Sequence, residues 1–311
     1  MTEQVEFGTP GWYYRLSSFF REVFGVPVYK IPLHSGFSCP NRDGTISRGG
    51  CSYCYNPSFS PYINSKELST IEEQLQRGKK KQKEALYLAY FQSYTNTYAP
   101  VNQLKELYDR ALADPEVAGL SIATRPDCIP DDILSLLESY ALRCHLWLEY
   151  GLQSAHDLTL DTVNRGHDAA AFADAVLRTK GRGIYTCAHI ILGLPGETRA
   201  MMLETIRFLN RLEVDGIKFH HLQVIRNTPL AEEHAREGVK VFKSASAYID
   251  VLCDCLVALS PKIVVQRLAG QATSKELLVA PRWPESSGQI ATLVTEELRR
   301  RNTWQGSACL V

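Results

Sequence analysis

Three cysteines lie close together near the amino-terminal end of the chain. Cys39, Cys51 and Cys54 have the spacing C-x11-C-x2-C within a glycine-rich segment, whereas the other six of the nine cysteines are scattered singly. In a reducing compartment, scattered thiols are typical of buried packing residues and a tight group is typical of metal ligands. Three thiolates can bind three irons of a [4Fe–4S] cluster and leave the fourth iron open, as a catalytic metal site requires.

A zinc site is the alternative interpretation of the same cysteines, with His34 as the fourth ligand. The pair C-x2-C is common in zinc modules, but those modules usually carry a second close pair. Cys253 and Cys255, which are the next close pair, lie within an apolar stretch with helical periodicity. The cysteines therefore favour an iron–sulfur cluster, and a zinc-stabilised binding module stays open as an alternative.

Short apolar runs alternate with longer amphipathic stretches along most of the chain. This pattern predicts strands over residues 30–37, 85–91, 119–123, 146–150, 185–192, 216–223 and 262–268. It predicts helices over residues 69–84, 101–113, 131–140, 169–181, 197–212 and 244–259. Such alternation indicates an α/β fold of parallel strands, a partial or full TIM-like barrel with its chemistry at the carboxyl ends of the strands. We expect an N-terminal extension (1–29), the barrel (30–269) and a C-terminal extension (270–311).

Composition and charge exclude several classes of protein. The chain has 311 residues, 45% of them hydrophobic, and its 34 basic residues equal its 34 acidic residues. A nucleic-acid partner would therefore need a local basic patch, for which residues 79–83 and 299–301 are candidates, although such runs are often solvated helix faces. The first ten residues do not resemble a signal peptide, and no apolar stretch is long enough to span a bilayer. We expect a cytoplasmic protein without a membrane partner.

Polar side chains on the predicted strands could line a pocket inside the barrel. Lys218 and His220 alternate on the sixth strand and should face the same side, where His189 of the fifth strand could join them. Arg125 and Asp127 follow the third strand, at the functional rim. A buried polar group without a partner is costly, so these residues indicate a binding site. The alternatives are a mutual salt bridge for Arg125 and Asp127, and hydrogen-bonded positions in the core for His189 and His220.

Further motifs identify a family that the chain resembles. They are residues 36–44 and 50–54 around the cysteines, then 90–92, 124–127, 149–154, 164–167, 193–197 and 215–218. With these motifs the chain resembles the radical S-adenosylmethionine (SAM) superfamily, and within it the YhcC/YtqA family, whose radical core is similar to that of the Elongator catalytic subunit. The resemblance extends over about residues 25 to 310. The long interval between the first two cysteines is usual in this family.

The resemblance implies two cofactors, a [4Fe–4S] cluster and SAM. The residues that it implies at these cofactors are Cys39, Cys51 and Cys54 on the cluster, and Tyr53, Gln92, Glu149, Gln153 and Arg165 on SAM. In this arrangement Tyr53 packs on adenine, and the fork of the Arg165 guanidinium binds the SAM carboxylate. Lys218, Arg125 and His220 are then the candidate catalytic residues, because a pocket with Lys218 and Arg125 suits an anionic substrate group.

The resemblance also implies the reaction. SAM is cleaved reductively at the cluster to give a 5′-deoxyadenosyl radical, and an electron donor such as flavodoxin or ferredoxin supplies the electron. Kinship with Elongator indicates tRNA as the substrate, with a step that converts a carboxymethylaminomethyl side chain of the wobble uridine toward aminomethyl. Radical chemistry on a small molecule or a peptide is the alternative.

Overall fold

The computed structural model describes residues 11–58, 69–79, 84–270 and 275–309. Seven parallel strands form one curled sheet in the order β1-β2-β3-β4-β5-β6-β8. They are β1 (Val28–Leu33), β2 (Leu86–Phe91), β3 (Val117–Thr124), β4 (His145–Gln153), β5 (Tyr185–Leu192), β6 (Gly216–His221) and β8 (Val264–Arg267). A separate antiparallel pair joins β7 (Val224–Ile225) to β9 (Leu278–Ala280).

Eleven helices are present in the described part of the chain, and several of those between consecutive strands pack against the outer face of the sheet. They are α1 (Leu16–Phe24), α2 (Pro40–Asp43), α3 (Ile71–Gly78), α4 (Val101–Leu112), α5 (Asp131–Ala141), α6 (Asp157–Thr162), α7 (Ala169–Thr179), α8 (Arg199–Leu212), α9 (Pro229–Glu237), α10 (Ala245–Ala258) and α11 (Ser287–Arg301). Several begin at a side-chain cap, such as Thr70 before α3, Thr198 before α8 and Ser244 before α10. Within the described ranges, no helix is both long and apolar enough to cross a membrane.

The fold class predicted from the sequence is confirmed, and the barrel is a partial one. Each of the seven predicted strands forms, and consecutive strands pair in parallel. The helix predicted over 69–84 is shorter than expected, since α3 ends at Gly78 and residues 80–83 lie outside the described part of the chain. The helices α1, α2, α6, α9 and α11 lie outside the ranges predicted to be helical. The division into a core and two extensions stays a prediction.

The helix α1 packs against the inner side of the barrel at the amino-terminal ends of the strands. Its Phe19 and Phe20 form a buried apolar cluster with residues of five strands, namely Val28, Leu88, Trp147, Cys187 and Val264. The rings of Phe19 and Trp147 meet edge to face with centroids 5.5 Å apart. This apolar layer is the floor of the barrel. It leaves the opposite, carboxyl end of the strands as the face where polar chemistry can be placed.

We expect Phe20→Ala to lower the free energy of unfolding by about 3–5 kcal/mol, because it opens a cavity in the floor of the barrel. Phe20 is only 2% exposed. Chemical denaturation monitored by circular dichroism would measure the change. Leu142→Ala is the matched control, since Leu142 is 86% exposed. An equal loss in both variants would contradict a role for α1 in the core.

Candidate active site

The three cysteines lie on the loop that follows β1, at the carboxyl end of the sheet. Cys39 caps the short helix α2, and the backbone N–H of Cys54 donates to the carbonyl of Cys51 at 2.9 Å. Gly50, directly before Cys51, has a φ of +88°, and a Cβ there would lie 2.8 Å from Arg42 Nη1. Only glycine avoids both the backbone strain and this contact. The loop therefore turns tightly enough to direct three thiols toward one region.

The motif at residues 164–167 holds the cysteine loop in place. The Asn41 side-chain N–H donates to the Asn164 carbonyl at 2.6 Å, and the Asn164 side chain donates to the Gly50 carbonyl at 2.9 Å. The backbone N–H of Ser52 donates to the Val163 carbonyl at 2.9 Å. These bonds connect the loop to the end of α6, so the cysteines are positioned by two separate parts of the chain.

Two side chains donate toward the sulfur of Cys51. Asn41 Nδ2 and Arg165 Nη1 each lie 3.6 Å from Cys51 Sγ. Burial opposes ionisation of this thiol, but the neighbouring Arg165 guanidinium outweighs it and lowers the pKa of Cys51. Burial, together with the negative charge of Cys51, raises the pKa of Cys54 to about 12. Cys54 therefore has to lose a proton when it binds iron, so loading of the site releases protons.

The donors at this loop fit a cluster better than a single ion. Within the described residues, no three His, Cys, Asp or Glu side chains are placed to hold one metal ion. The zinc alternative with His34 accordingly finds no site there. In a [4Fe–4S] cluster each thiolate binds a different iron, so its three sulfurs do not have to converge on one atom. Arg165 Nε and Ser52 Oγ beside the loop are buried and have no hydrogen-bond partner among the described residues. Both atoms are therefore available for hydrogen bonds to a bound group.

Two of the residues predicted at SAM come together beside Cys51. Gln153 and Arg165 meet across Gly151, where a Cβ would lie 2.7 Å from Gln153 Nε2 and 2.6 Å from Arg165 Nη2. Arg165 Nη2 also donates to the Gly151 carbonyl at 2.6 Å. The absence of a side chain at residue 151 thus leaves room for both groups, of which Arg165 reaches Cys51, and the contacts of both to SAM stay predictions.

Arg125 is buried and makes its contacts with Asp127 and Arg165. It forms a bidentate ion pair with Asp127, at 2.8 and 2.7 Å, and donates to the Arg165 carbonyl at 2.8 Å. The salt bridge that the sequence left as an alternative is therefore present. Arg125 and Lys218 share no contact among the described residues, and their joint binding of one anion stays a prediction.

Tyr53 and Gln92 lie at the rim of the barrel. Tyr53 is half-buried and packs against a buried apolar cluster that includes Leu194 and Leu230. Gln92 directly follows β2 and is also half-buried. The backbone then turns sharply, because Ser93 and Tyr94 both have positive φ values, +73° and +60°. The proposed contacts of Tyr53 and Gln92 with SAM stay predictions.

Glu149 lies at the centre of a buried ionic network inside the barrel. One of its oxygens accepts from Lys30 and Ser121, and the other accepts from Lys218 and from His189, the last at 2.7 Å. Burial disfavours the carboxylate, but the two lysines and His189 outweigh it and hold the pKa of Glu149 well below its usual range. These four protein donors occupy both oxygens of Glu149, and its contact with SAM stays a prediction.

The two lysines in this network have different bonding. All three N–H groups of Lys30 are used, by Glu149, by Ser121 at 2.9 Å and by Gln266 at 2.6 Å. Within the described part of the chain, Lys218 makes one hydrogen bond, to Glu149, and lies 4.1 Å from the centre of the Tyr90 ring. Burial lowers the pKa of Lys30 to about 8 and also lowers that of Lys218. Lys218 therefore keeps donors for a further partner, while Lys30 does not.

His220 and Arg267 complete the inner wall above Lys218. The rings of His189 and His220 are 5.7 Å apart, and burial together with the Arg267 charge lowers the pKa of His220 well below its usual range. Burial likewise lowers the pKa of His189 to about 4, so both imidazoles are neutral at pH 7. His189 still keeps 17% of its side chain exposed, as expected if it borders a space within the barrel.

The sequence analysis missed Lys30, Ser121, Gln266 and Arg267. Lys30 is the third residue of β1, and its position on the inward face of a strand is the signal that could have identified it. Arg267 faces Lys218 across the β6–β8 pairing, after a register shift.

In the described part of the two basic runs, Lys79, Arg300 and Arg301 are paired with carboxylates, and Arg299 is not. Lys79 pairs with Asp114 and Glu116, and the remaining lysines of its run lie outside the described residues. Arg301 pairs with Asp250, Asp254 and Glu297, while Arg300 pairs with Glu297. Arg299 lies over the Trp12 ring, at 5.9 Å. These arginines join α11 to α10 and to the N-terminal segment.

Comparison with known proteins identifies the family. The profile of the radical SAM superfamily matches residues 42–209, and that of the radical SAM C-terminal domain matches residues 214–300. The protein YtqA of Bacillus subtilis is 38% identical over 297 residues, which are 94% of this chain and 92% of YtqA. The chain belongs to the radical SAM superfamily. Escherichia coli YhcC is 39% identical to this radical SAM protein, over 85% of this chain and 84% of YhcC. The resemblance to the YhcC/YtqA family is thus confirmed.

Solved structures agree with the fold of this radical SAM protein. An archaeal Elp3 from Methanocaldococcus infernus, with residues 1–46 deleted, superposes with a TM-score of 0.65 at 16% identity. The match covers 89% of this chain and 64% of that one, and it concerns the fold alone. Radical SAM proteins bind a [4Fe–4S] cluster and SAM. Cys39, Cys51 and Cys54 are the residues that would hold the cluster here.

We expect Cys39→Ala, Cys51→Ala and Cys54→Ala to abolish cluster binding, whereas the unaltered protein should bind about four irons and four sulfides after anaerobic reconstitution. Iron and sulfide analysis with electronic absorption spectra would measure this. Cys144→Ala is the matched control, because Cys144 lies on the outer side of the core. Unchanged iron content in the triple variant would contradict the assignment.

Proposed function

We propose that this radical SAM enzyme acts on tRNA and converts a carboxymethylaminomethyl side chain of the wobble uridine toward aminomethyl. The observation that carries the proposal is the charge inside the barrel. Among the described residues, the inner wall holds three cationic side chains, Lys30, Lys218 and Arg267, against the single carboxylate of Glu149. Excess positive charge in a confined space favours an anionic ligand, and the carboxymethylaminomethyl group carries a carboxylate.

The chemistry requires a hydrogen atom to be taken from an unactivated carbon. When bound, the cluster and SAM together supply the 5′-deoxyadenosyl radical for that purpose. In the overall reaction, the bond between the amine nitrogen and the carboxymethyl carbon is cleaved with one water. The two-carbon unit leaves as glyoxylate with release of two electrons and two protons. Those two electrons and one of the protons convert SAM to methionine and 5′-deoxyadenosine, so electrons and atoms balance.

The residues of the chain supply binding and orientation for this reaction. Lys218 has unused N–H groups and is fixed by Glu149, so it can direct a substrate anion without moving itself. His220 is neutral and half-buried, and it makes no hydrogen bond among the described residues. Its unprotonated ring nitrogen can therefore accept a hydrogen bond from the substrate amine. The apolar floor below excludes water from one side of this site.

An RNA substrate also requires exposed cations near the rim of the barrel. The helix α9 begins beside the cysteine loop, where the backbone N–H of Leu230 donates to the Ser52 carbonyl at 3.0 Å. At the end of α9 and after it lie Arg236, Lys240 and Lys243, all exposed and without an ion pair among the described residues. These three cations support phosphate contacts at the rim.

We expect anaerobic incubation of the reconstituted enzyme with SAM, a reductant and carboxymethylaminomethyl-bearing tRNA to yield aminomethyluridine, glyoxylate and 5′-deoxyadenosine. Nucleoside analysis by mass spectrometry would measure the change, and tRNA from deletion cells should retain the carboxymethylaminomethyl form. Lys218→Met is the control, because it should keep iron and SAM binding and uncoupled 5′-deoxyadenosine formation while losing tRNA turnover. An unchanged nucleoside profile in deletion cells would instead support a small-molecule or peptide substrate.

The double variant Lys240→Glu/Lys243→Glu should raise the KM for tRNA and weaken its dependence on salt, because fewer counterions are released on binding. Each lost phosphate contact should reduce the slope of log affinity against log salt by roughly 0.9 for duplex and 0.7 for single-stranded regions. Filter binding at several salt concentrations would measure the slope. Lys105→Glu/Lys180→Glu, on the outer helices, is the matched control. Equal slopes in all three proteins would rule out this surface.

A further inference from the structure

Arg267 is the last residue of β8, and its side chain belongs to the barrel interior. In the β6–β8 pairing it lies opposite Lys218, after a register shift between Ile217 and Lys218. Its charge acts on side chains of two other strands. Burial is the largest cause of the lowered pKa values of Lys218, His189 and His220, and the positive charge of Arg267 lowers all three further. Only a guanidinium that points into the barrel can be near all of these side chains.

This guanidinium has no partner in the part of the chain that the structure describes. Arg267 is half-buried, yet it takes part in no hydrogen bond or ion pair there. The other charged side chains of the interior are paired, because Lys30 and Lys218 both contact Glu149. A cation without a counterion in a confined space is energetically unfavourable, and it is typical of a site that a ligand anion completes.

The neighbours of Arg267 indicate which kind of anion fits. An arginine presents parallel N–H groups that match the two oxygens of a carboxylate. Lys218, its partner across the strand pair, has N–H groups left over after its bond to Glu149. The Glu149 carboxylate on the other side of Lys218 disfavours a second full negative charge, so a monoanion is preferred over a phosphate dianion.

We propose that Arg267 and Lys218 together form a carboxylate-binding site that recognises the acidic end of the substrate side chain. Arg267 contacts the carboxylate through its fork, and Lys218 donates to it from the opposite strand. This inference rests on the proposed function and names the residues that determine its substrate specificity. A uridine side chain that already lacks the carboxylate, such as aminomethyl, does not bind to Arg267 and Lys218. The site thereby distinguishes the substrate from the product.

The test uses the free nucleosides 5-carboxymethylaminomethyluridine and 5-aminomethyluridine as probes of the reconstituted enzyme. Isothermal titration calorimetry should show that the unaltered protein prefers the carboxylate-bearing nucleoside. Arg267→Met should weaken its binding by about 30- to 150-fold, the effect of losing one charge-assisted contact, and leave the weak binding of 5-aminomethyluridine unchanged. Arg267→Lys should recover part of the affinity. Arg211→Met, an exposed position on α8, is the matched control and should bind both probes as before.

A stability measurement separates a ligand site from a structural role. Since Arg267 has no protein partner among the described residues, Arg267→Met should keep or raise the free energy of unfolding, whereas Lys218→Met should lower it by breaking the pair with Glu149. Equal affinity of Arg267→Met for the carboxylate probe, or no preference in the unaltered protein, would overturn the proposal. Loss of carboxylate binding in Arg267→Met with unchanged tRNA in deletion cells would leave the carboxylate site standing and reject the tRNA substrate.

Discussion

The buried charge of Glu149 is the interaction on which the interior of this protein depends. Two lysines and a histidine from three different strands donate to one carboxylate that is fully removed from bulk water. Removing such a carboxylate would leave two ammonium groups without their counterion, and the cost of that state is several kcal/mol. The same bonds fix where each side chain points. The main effect of the network is therefore to orient Lys218 toward the open part of the barrel, and its contribution to stability is secondary.

Three layers of different chemistry follow one another along the barrel axis. The apolar floor, formed with Phe19 and Phe20 of α1, closes the amino-terminal end. The ionic network lies above it, and the cysteine loop lies at the carboxyl end with Arg165 and Asn41 directed at Cys51. The floor is apolar, the network concentrates buried charge, and the loop carries the cysteines that would hold the cluster. Because the layers are formed by the same strands, their spacing is set by the rise of the strands.

Local features could be predicted well from the sequence, and long-range partners could not. The cysteine spacing and the strand–helix alternation depend on neighbouring residues, so the cluster loop and the seven strands could be predicted. The inward position of Arg267 could not be predicted, because simple alternation along a strand places only one of Gln266 and Arg267 inside the barrel. The register shift beside Lys218 brings both residues into contact with the interior. Arg125 was assigned to the substrate because nothing in the sequence shows that its fork is occupied by Asp127. The helix α1 begins after Arg15, which makes no side-chain capping hydrogen bond, so the sequence has no N-cap residue from which its start could be predicted.

The open edge of the curled sheet carries a further consequence. The backbone N–H of Val265 in β8 donates to the Tyr14 carbonyl at 2.8 Å, and Arg15 forms a parallel bridge with Val265. The residues just before α1 thus cover a strand edge that would otherwise present unpaired N–H and C=O groups to other molecules. One short segment consequently seals the floor and masks the edge. Its detachment would expose an apolar surface and a pairing template at the same time, which makes this segment the safeguard of the fold against self-association.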